Sequence, residues 1–181
     1  MTLTAAVSVA KAMERFNLPA QIKWPNDIMF DGRKLVGILT ELGGETERIN
    51  YLIIGMGINF NISRKEFPKD IRDIAASISE LCGDKKISRV EFFRAVLEEF
   101  DKLYIDISAN GFENVLKLWR KYNITLGKKI RVIAADTGEI FEGTATDINS
   151  DGALLVDTPE GMKTVYAGDV SVRPASTARG E

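Results

Sequence analysis

The chain has 181 residues, 45% of them hydrophobic, which is enough for one large domain or for a moderate domain followed by a small one. Lysine and arginine total 24 against 26 aspartates and glutamates, and a net charge of -2 provides no overall basic field for nucleic acid or anionic lipid. The single cysteine, Cys82, excludes an internal disulfide, and the absence of histidine excludes Ser-His-Asp and Cys-His nucleophiles and histidine-ligated zinc.

The chain opens with a predicted helix over residues 2–17, in which Thr2 or Thr4 is available as the N-cap. Its apolar side chains share one helical face: Leu3, Val7, Ala10 and Phe16. The N-terminus shows no basic region followed by an apolar core and a cleavage site, and the longest apolar runs are shorter than the roughly 20 residues of a membrane helix. We therefore expect a cytoplasmic protein.

Four β-rich segments follow this helix: AQIKW, DIMF, KLVGILTEL and NYLIIGMGINFN. Turn residues separate them at Pro25–Asp27, at Asp31–Gly32 and at Gly43–Gly44, which predicts an antiparallel meander. Because LVGIL and YLIIGMGI are apolar on both faces, we expect both to be central strands. One face should pack against helices and the other against a ligand or more protein.

Three further helices are predicted in the middle of the chain. The segment DIRDIAASISELCG predicts a short helix that ends at its glycine. Ser88 and Glu91 form a capping box for a longer helix, and FENVLKLWRKY predicts another after the Asn110–Gly111 break. The apolar side chains of the longer helix recur at helical spacing: Val90, Phe93, Leu97, Phe100, Tyr104 and Ile107.

From Ile124 onward the chain consists of short β-rich segments, divided by Thr-Gly, Asp-Gly and Glu-Gly turns. About fifty residues of this kind predict a small SH3-like β-barrel. The expected organisation is a first domain over residues 1–122, the barrel over residues 123–174 and a disordered tail over residues 175–181. The predicted fold class is α+β.

The segment KWPND, residues 23–27, interrupts the β-rich region. Pro25 cannot donate a hydrogen bond to a sheet and restrains the preceding residue to extended geometry, so the strand stops there. An Asn-Asp pair can bond its own backbone, so an ordinary hairpin turn explains most of the segment. Lys23 and Asp27 remain, one cation and one anion at the end of core strands. Such a pair suits a triphosphate with Mg²⁺, because the ammonium contacts phosphate oxygens and the carboxylate contacts the metal.

The two strands after this turn contain glycines. In GRKLVGILTEL, Lys34 fits a solvated cation at the strand end, and Gly37 fits either a bulge or a place where a ligand approaches the backbone. In GMGINFN, Gly55 and Gly57 thin the strand, and Asn59 places an amide at its end. The sequence GMGIN lacks the third glycine and the following helix of a dinucleotide fingerprint, which excludes that interpretation.

The order of these segments resembles that of the biotin protein ligases. KWPNDI, RKLVGILTEL, IIGMGINFN and AASI, followed by an all-β tail, match the family in order from about Thr2 to Pro174. The resemblance implies the rear part of a class II synthetase-like catalytic domain, with a central antiparallel or mixed sheet and helices, and a C-terminal SH3-like barrel. It also implies an enzyme that activates biotin with Mg·ATP as biotinyl-5′-adenylate and passes the biotinyl group to a lysine of a biotin carboxyl carrier protein.

The resemblance also implies roles for particular residues. Lys34 matches the family lysine that contacts the biotin carboxylate and the reacting phosphate, and Lys23 is the second implied catalytic lysine. Asp27 is the implied ligand of Mg²⁺. The implied biotin site consists of Lys34, Gly37, Ile38 and Leu39. The implied ATP site consists of Lys23, Trp24, Asn26, Asp27, Asn59, Ala76 and Ser77.

The sequence departs from the family pattern upstream of its first helix. Family members carry there a Ser-Thr-Asn contact to biotin, a glutamine and a Gly-Arg-Gly-Arg-Arg-Gly loop that closes over the adenylate and excludes water. None of these is present, so we expect this chain alone to bind biotin or ATP weakly and to ligate poorly. A truncated sequence and a short form that needs a partner chain both explain the departure, and the first is favoured because loss of part of the sheet should expose apolar surface.

Two other functions stay open. A non-catalytic module could dock protein or RNA through the barrel, but its basic residues are offset by acidic ones. The basic group is Lys128, Lys129 and Arg131, and the acidic group is Asp136, Glu139, Glu142 and Asp147. A lipoate-type ligase is disfavoured by KWPND. For the biotin ligase, the expected partner is the carrier protein, a second copy of the chain is an open alternative, and neither a DNA-binding helix-turn-helix nor a membrane is expected.

Overall fold

The computed structural model divides into two compact units, Met1–Asn123 and Ile124–Glu181. It describes five stretches of the chain: residues 1–45, 48–83, 86–134, 138–168 and 170–174. The predicted tail and Asp136 of the predicted barrel lie outside these stretches. Within them, no helix is long and apolar enough to cross a membrane.

The first unit combines helices with one antiparallel sheet. Its strands are β1 (Gln21–Lys23), β2 (Asp27–Phe30), β3 (Arg33–Glu45) and β4 (Arg48–Ile58). Its helices are α1 (Thr2–Arg15), α2 (Ile78–Cys82), α3 (Arg89–Asn110) and α4 (Glu113–Tyr122), with a 3₁₀ turn at Arg64–Glu66. The sheet order β1-β2-β3-β4 follows the chain, so the predicted antiparallel meander is confirmed.

Two predictions for the β3–β4 hairpin are wrong. The predicted turn at Gly43–Gly44 lies inside β3, because the strand continues to Glu45 and the Tyr51 ring packs over Gly43 across the hairpin. Within the described residues β4 is an edge strand rather than a central one, since it pairs with β3 alone. Several apolar side chains of the hairpin are accordingly exposed: Leu39, Leu42, Tyr51 and Ile53.

The helix α1 is the centre of the first unit, because it contacts the first three strands and both α3 and α4. Most of the circumference of α1 is buried, and most of its buried side chains are small, so the neighbouring elements can approach it closely. The predicted N-caps are wrong, since Met1 occupies the N-cap position without a side-chain hydrogen bond. The Thr2 hydroxyl instead lies 2.8 Å from the Thr40 hydroxyl of β3, and Thr4 is buried.

The later helices follow the predictions in part. Of the predicted helix in DIRDIAASISELCG, only Ile78–Cys82 is helical, because the preceding residues form turns. Ser88 caps α3 as predicted, but α3 packs with a face other than its apolar stripe. Stripe residues that are exposed include Val90, Phe93, Leu97 and Tyr104. The packed face consists of Phe92, Ala95, Val96, Glu99 and Leu103.

Glu99 joins α3 to α1 through charge. Its carboxylate is buried and lies 2.7 Å from Lys102 Nζ, 3.4 Å from Lys11 Nζ and 3.6 Å from Arg15 Nη1. Burial acts to raise the pKa of Glu99, but the hydrogen bond from Lys102 and the charge of Lys11 hold the pKa below its ordinary value. The folded state therefore favours the ionised carboxylate.

Replacing Glu99 with Gln should lower the free energy of unfolding at pH 7 by about 1–3 kcal/mol, because three cations lose their shared anion. A pKa that is lower in the folded state gives stability that is present above the unfolded value, near 4.5, and is lost as the pH falls through the folded value. Urea unfolding at several pH values should thus show a weaker acid dependence for the variant. Glu98→Gln, which removes an exposed pair with Arg15, should change stability by less than about 0.5 kcal/mol. Equal effects of the two variants would contradict this role of Glu99.

The second unit is an antiparallel β-sheet, so the prediction of an all-β C-terminal domain is confirmed. Its strands are β5 (Lys129–Ala134), β6 (Ile140–Ile148), β7 (Leu154–Thr158), β8 (Gly161–Val165) and β9 (Val170–Pro174). The order is β8-β7-β6-β5-β9, and among the described residues the two outer strands are not paired with each other. Alternate apolar side chains form its core, and the basic group of Lys128, Lys129 and Arg131 is exposed.

Gly143 marks a close approach of β6 to β7. A Cβ at this position would overlap the carbonyl oxygen of Asp157 and lie 2.6 Å from Val156 Cγ1. Since the backbone of a paired strand cannot move away cheaply, a side chain here must distort the sheet.

Replacing Gly143 with Ala should destabilise the second unit by about 1–3 kcal/mol through this overlap. Tryptophan fluorescence does not report on the second unit, because both tryptophans lie in the first unit. Hydrogen exchange of the β6 and β7 amides therefore measures the effect locally. Gly168→Ala is the matched control, since a Cβ there has no heavy atom within 4 Å and should leave exchange unchanged. Similar exchange in the two variants would show that the contact at Gly143 relaxes without cost.

Candidate functional site

One row of residues crosses the sheet of the first unit from edge to edge. Lys23 of β1 pairs with Asp27 of β2, Asp27 pairs with Gly37 of β3, and Gly37 pairs with Gly57 of β4. Directly paired residues point to the same face of a sheet, so two charged side chains share a face with two glycines. That face therefore has charge at one end and open backbone at the other.

The neighbouring row fixes this arrangement. Ile22, Ile28 and Val36 pair across β1, β2 and β3 and are completely buried on the opposite face. A slip of one residue would move all three side chains to the open face, at a cost of roughly 1.5–3 kcal/mol for each. Burial of these three apolar side chains thus fixes the register of Lys23 and Asp27.

A β-bulge brings Lys34 onto the same face. Ile28 pairs with Val36, but the next residue of β2 pairs with Lys34, so Leu35 is an extra residue in β3. Residues three apart in a regular strand point to opposite faces. The extra residue reverses this, and Lys34 lies on the face of Gly37.

Lys34 and Asp27 form an ion pair on this face. The Lys34 Nζ lies 2.5 Å from Asp27 Oδ1. That oxygen is buried and accepts no hydrogen bond of good geometry from the described residues, so the ammonium is the charge that compensates it. The Lys34 side chain itself is 48% exposed, which leaves donors free for a ligand. Lys23 has no ion pair within the described parts of the chain.

Two cavities meet at Lys34. The first, of about 560 Å³, is lined by Asn26, Lys34, Gly37, Ile38, Leu39, Gly55, Met56 and Gly57. The second, of about 300 Å³, is lined by Lys34, Gly37, Gly57, Asn59, Ile71, Ile74 and Ala75. Both volumes fall in or near the range of small-molecule sites. The residues common to both are Lys34, Gly37 and Gly57, so a ligand in each cavity would meet its neighbour at the Lys34 ammonium.

The backbone of Lys34 is fixed on both sides. Its N–H donates to the Ile74 carbonyl at 2.7 Å, and its carbonyl accepts from the Ala76 N–H at 2.9 Å. The Asn59 N–H also donates to the Leu35 carbonyl at 3.1 Å. The segment after β4 therefore forms the wall of the second cavity and cannot move independently of Lys34.

Asn26 ties the KWPND turn to β3. Its side-chain N–H donates to the Ile38 carbonyl at 2.7 Å, and the Ile38 N–H donates to the Asn26 carbonyl at 3.0 Å. These two bonds continue the pairing of β2 with β3 beyond the strand. The amide group of Asn26 is thus partly occupied by the protein itself.

The structure brings most of the predicted site residues together. Those that line the first cavity are Asn26, Lys34, Gly37, Ile38 and Leu39, and Asn59 lines the second. Trp24 is only 1% exposed, and Ala76 and Ser77 are completely buried. The Ser77 hydroxyl caps α2 and donates to the Ile62 carbonyl at 2.6 Å. Any contribution of these three residues to a nucleotide site would come from packing or backbone groups.

Sequence reasoning missed the apolar wall of the second cavity. The helix predicted for DIRDIAASISELCG includes Ile71 and Ile74, but both lie in turns and are exposed. Two isoleucines in an otherwise polar stretch were the available signal, since an apolar side chain in a polar turn needs a surface to cover.

The site offers little for a metal ion by itself. Within the described residues, no group of three His, Cys, Asp or Glu side chains could hold one. Mg²⁺ commonly uses one or two carboxylates together with substrate phosphates. Asp27 fits that pattern as a single ligand for an ion that arrives with a phosphate chain.

Two family models match the chain. The biotin/lipoate A/B protein ligase family model matches residues 2–59, and the model of the biotin protein ligase C terminal domain matches residues 125–173. The bifunctional ligase/repressor BirA of Bacillus subtilis is 39% identical over 173 residues, which are 95% of this chain and 52% of that protein. The chain belongs to the biotin protein ligase family.

Other biotin protein ligases are similar over most of this chain. The biotin--[acetyl-CoA-carboxylase] ligase of Paracoccus denitrificans is 27% identical over 153 residues, 82% of this chain and 61% of that protein. The biotin protein ligase of Aquifex aeolicus in complex with biotin and ATP has a TM-score of 0.82 at 27% identity, over 96% of this chain and 71% of that chain. The chain spans about half the length of the curated BirA relatives that it matches.

Replacing Asn26 with Asp should loosen the turn from β3, because a carboxylate oxygen would then face the Ile38 carbonyl. The Ile38 N–H, which donates to the Asn26 carbonyl, should exchange about tenfold faster with solvent deuterium. Asn61→Asp, at an exposed position, is the control and should leave Ile38 exchange unchanged. Full protection of Ile38 in Asn26→Asp would show that the side-chain bond does not hold the turn.

Proposed function

We propose that this protein attaches biotin to a lysine of a biotin carboxyl carrier protein through biotinyl-5′-adenylate, made from biotin and ATP. The observation that carries the proposal is the position of Lys34, whose ammonium lies where two cavities meet and pairs with a buried carboxylate. The names of the relatives support it, because the one from Paracoccus denitrificans is a biotin--[acetyl-CoA-carboxylase] ligase and the solved structure from Aquifex aeolicus contains biotin and ATP. The chain covers about half of the curated relatives, so its activity is inferred from its own site.

The two cavities match the two substrates in character. The first has a wall of strand backbone thinned by Gly55 and Gly57, with apolar neighbours, and suits the apolar body and polar ureido head of biotin. The second has an apolar wall from Ile71 and Ile74 and the strand-end amide of Asn59, which suits a nucleotide. In this arrangement the biotin carboxylate and the α-phosphate meet at Lys34.

The first reaction joins two anions. A biotin carboxylate oxygen attacks the α-phosphorus, a P–O bond forms, and the bond to pyrophosphate breaks with its electrons leaving on pyrophosphate. The main barrier that the protein can lower is the repulsion between carboxylate and phosphate, so a fixed cation between them is the central requirement. The Lys34 ammonium has three N–H donors and can keep its contact with Asp27 while it donates to both anions.

The other charged residues of the row face the phosphate chain. Lys23 lies beside Asp27 and would donate to the outer phosphate oxygens. Mg²⁺ bound with ATP supplies further charge neutralisation, and Asp27 would hold it.

The second reaction transfers the acyl group. The neutral amine of the carrier lysine attacks the acyl carbon of the adenylate, an amide bond forms, and AMP leaves with the electrons of the broken C–O bond. The amine gives up a proton, and the Lys34 ammonium stabilises the negative charge that develops on the departing phosphate. This chemistry requires neither a histidine nor a cysteine nucleophile.

Replacing Lys34 with Ala should reduce affinity for a non-hydrolysable biotinyl-adenylate analogue by about 10- to 100-fold, because charge-assisted hydrogen bonds to both anionic groups are lost. Thermal-shift titration of the whole chain measures this, with biotin, ATP, lipoate and RNA as comparison ligands. Lys117→Ala removes an exposed lysine of α4 outside the site and should bind like the parent chain. The proposal fails if biotin and the analogue give no stabilisation at millimolar concentration, or if Lys34→Ala binds the analogue as well as Lys117→Ala does.

A further inference from the structure

We propose that Gly37 is a positioning residue for Lys34: its missing side chain is the space in which the Lys34 ammonium lies. The inference deepens the proposed function and rests on it only for the consequence in catalysis. The geometric part concerns the unliganded protein. Gly37 thus acts through Lys34, in addition to any contact that its backbone makes with a ligand.

The distances show what occupies the space above Gly37. A Cβ built on Gly37 would lie 3.0 Å from Lys34 Cε and 3.1 Å from Lys34 Nζ. Both are tighter than ordinary van der Waals contact, and both atoms are the far end of a flexible side chain. Gly37 is also not among the glycines with positive φ, so an alanine is compatible with its backbone. The strand can therefore accept alanine, and Lys34 must move.

Lys34 has only one way to move. Its backbone is bonded to Ile74 and Ala76 on both sides, and the bulge at Leu35 sets the face on which its side chain starts. Only rotation about the side-chain bonds can relieve the contact. Such a rotation displaces the ammonium from its place above Gly37 and so alters its pairing with Asp27 Oδ1, a buried oxygen for which Lys34 is the paired cation among the described residues.

Gly57 provides a matched comparison in the same row. It pairs directly with Gly37 and lines both cavities. A Cβ on Gly57 would meet the Gly37 carbonyl oxygen at 3.7 Å, an ordinary contact, and no atom of Lys34. Gly57→Ala therefore removes a similar volume from the cavities and leaves the ammonium in place.

Nuclear magnetic resonance of the unliganded chain, with ¹³C at lysine Cε, tests the positioning directly. Lys34→Arg identifies the Lys34 signal by its disappearance. We expect Gly37→Ala and Asp27→Asn to shift this signal toward that of solvated lysines, and Gly57→Ala to leave it in place. An unchanged signal in Gly37→Ala, or an equal shift in Gly57→Ala, overturns the proposal. These spectra need no ligand, so they stand even if the proposed function fails.

Binding of the biotinyl-adenylate analogue tests the consequence. Gly37→Ala should lose about tenfold or more in affinity, and the double variant Gly37→Ala/Lys34→Ala should lose clearly less than the product of the two single losses. Gly57→Ala should instead add its own loss to that of Lys34→Ala. Additive losses for Gly37→Ala and Lys34→Ala would mean that Gly37 acts on the ligand only through its own contacts, and would overturn the proposal.

A folding defect in Gly37→Ala would also be informative. If the cost comes from the unpaired Asp27 carboxylate, the double variant Asp27→Asn/Gly37→Ala should regain the thermal stability of Asp27→Asn. If the double variant unfolds at the same temperature as Gly37→Ala, alanine strains the strand itself and the proposal is wrong.

Discussion

The ion pair between Lys34 and Asp27 is the interaction on which the site depends. A buried carboxylate oxygen requires a compensating charge, and here one lysine provides it while half of its side chain stays open to solvent. The pair therefore holds a cation in place before any substrate binds, which is what electrostatic stabilisation of joining anions requires. The sheet register, the bulge and the bonds of the Lys34 backbone all serve to keep these two side chains within reach.

Much of this site was predictable because it is built from short-range features. Lys23 and Asp27 lie on either side of one turn, so their proximity follows from local geometry. Lys34 and Gly37 are three residues apart on one strand, and the bulge at Leu35 places them on one face. The bulge had a signal as well. Leu35 and Val36 are consecutive, apolar and completely buried, which a regular strand with one open face does not allow.

Two of the failed predictions depend on partners far away in sequence. Thr2 was expected to cap α1, but its hydroxyl pairs with Thr40, 38 residues later. The apolar stripe of α3 predicted a helix, but its contact with α1 determines which face is packed. Lys11 and Arg15 of α1 pair with Glu99 on that packed face. Local propensity and periodicity carry no information on such contacts, since an exposed and a buried apolar stripe have the same spacing.

The glycines of the β3–β4 hairpin show why a sequence pattern alone does not define a cavity. Gly37 leaves room for the end of Lys34, and Gly43 leaves room for the Tyr51 ring, so both are covered by the protein's own side chains. Gly55 and Gly57 meet only carbonyl oxygens at 3.7 to 3.8 Å and leave their face open. In the sequence, all four look alike, as glycines within a strand. A ligand in the first cavity thus meets bare backbone on β4 and a charged side chain on β3, and this asymmetry orients a molecule that has one apolar end and one anionic end.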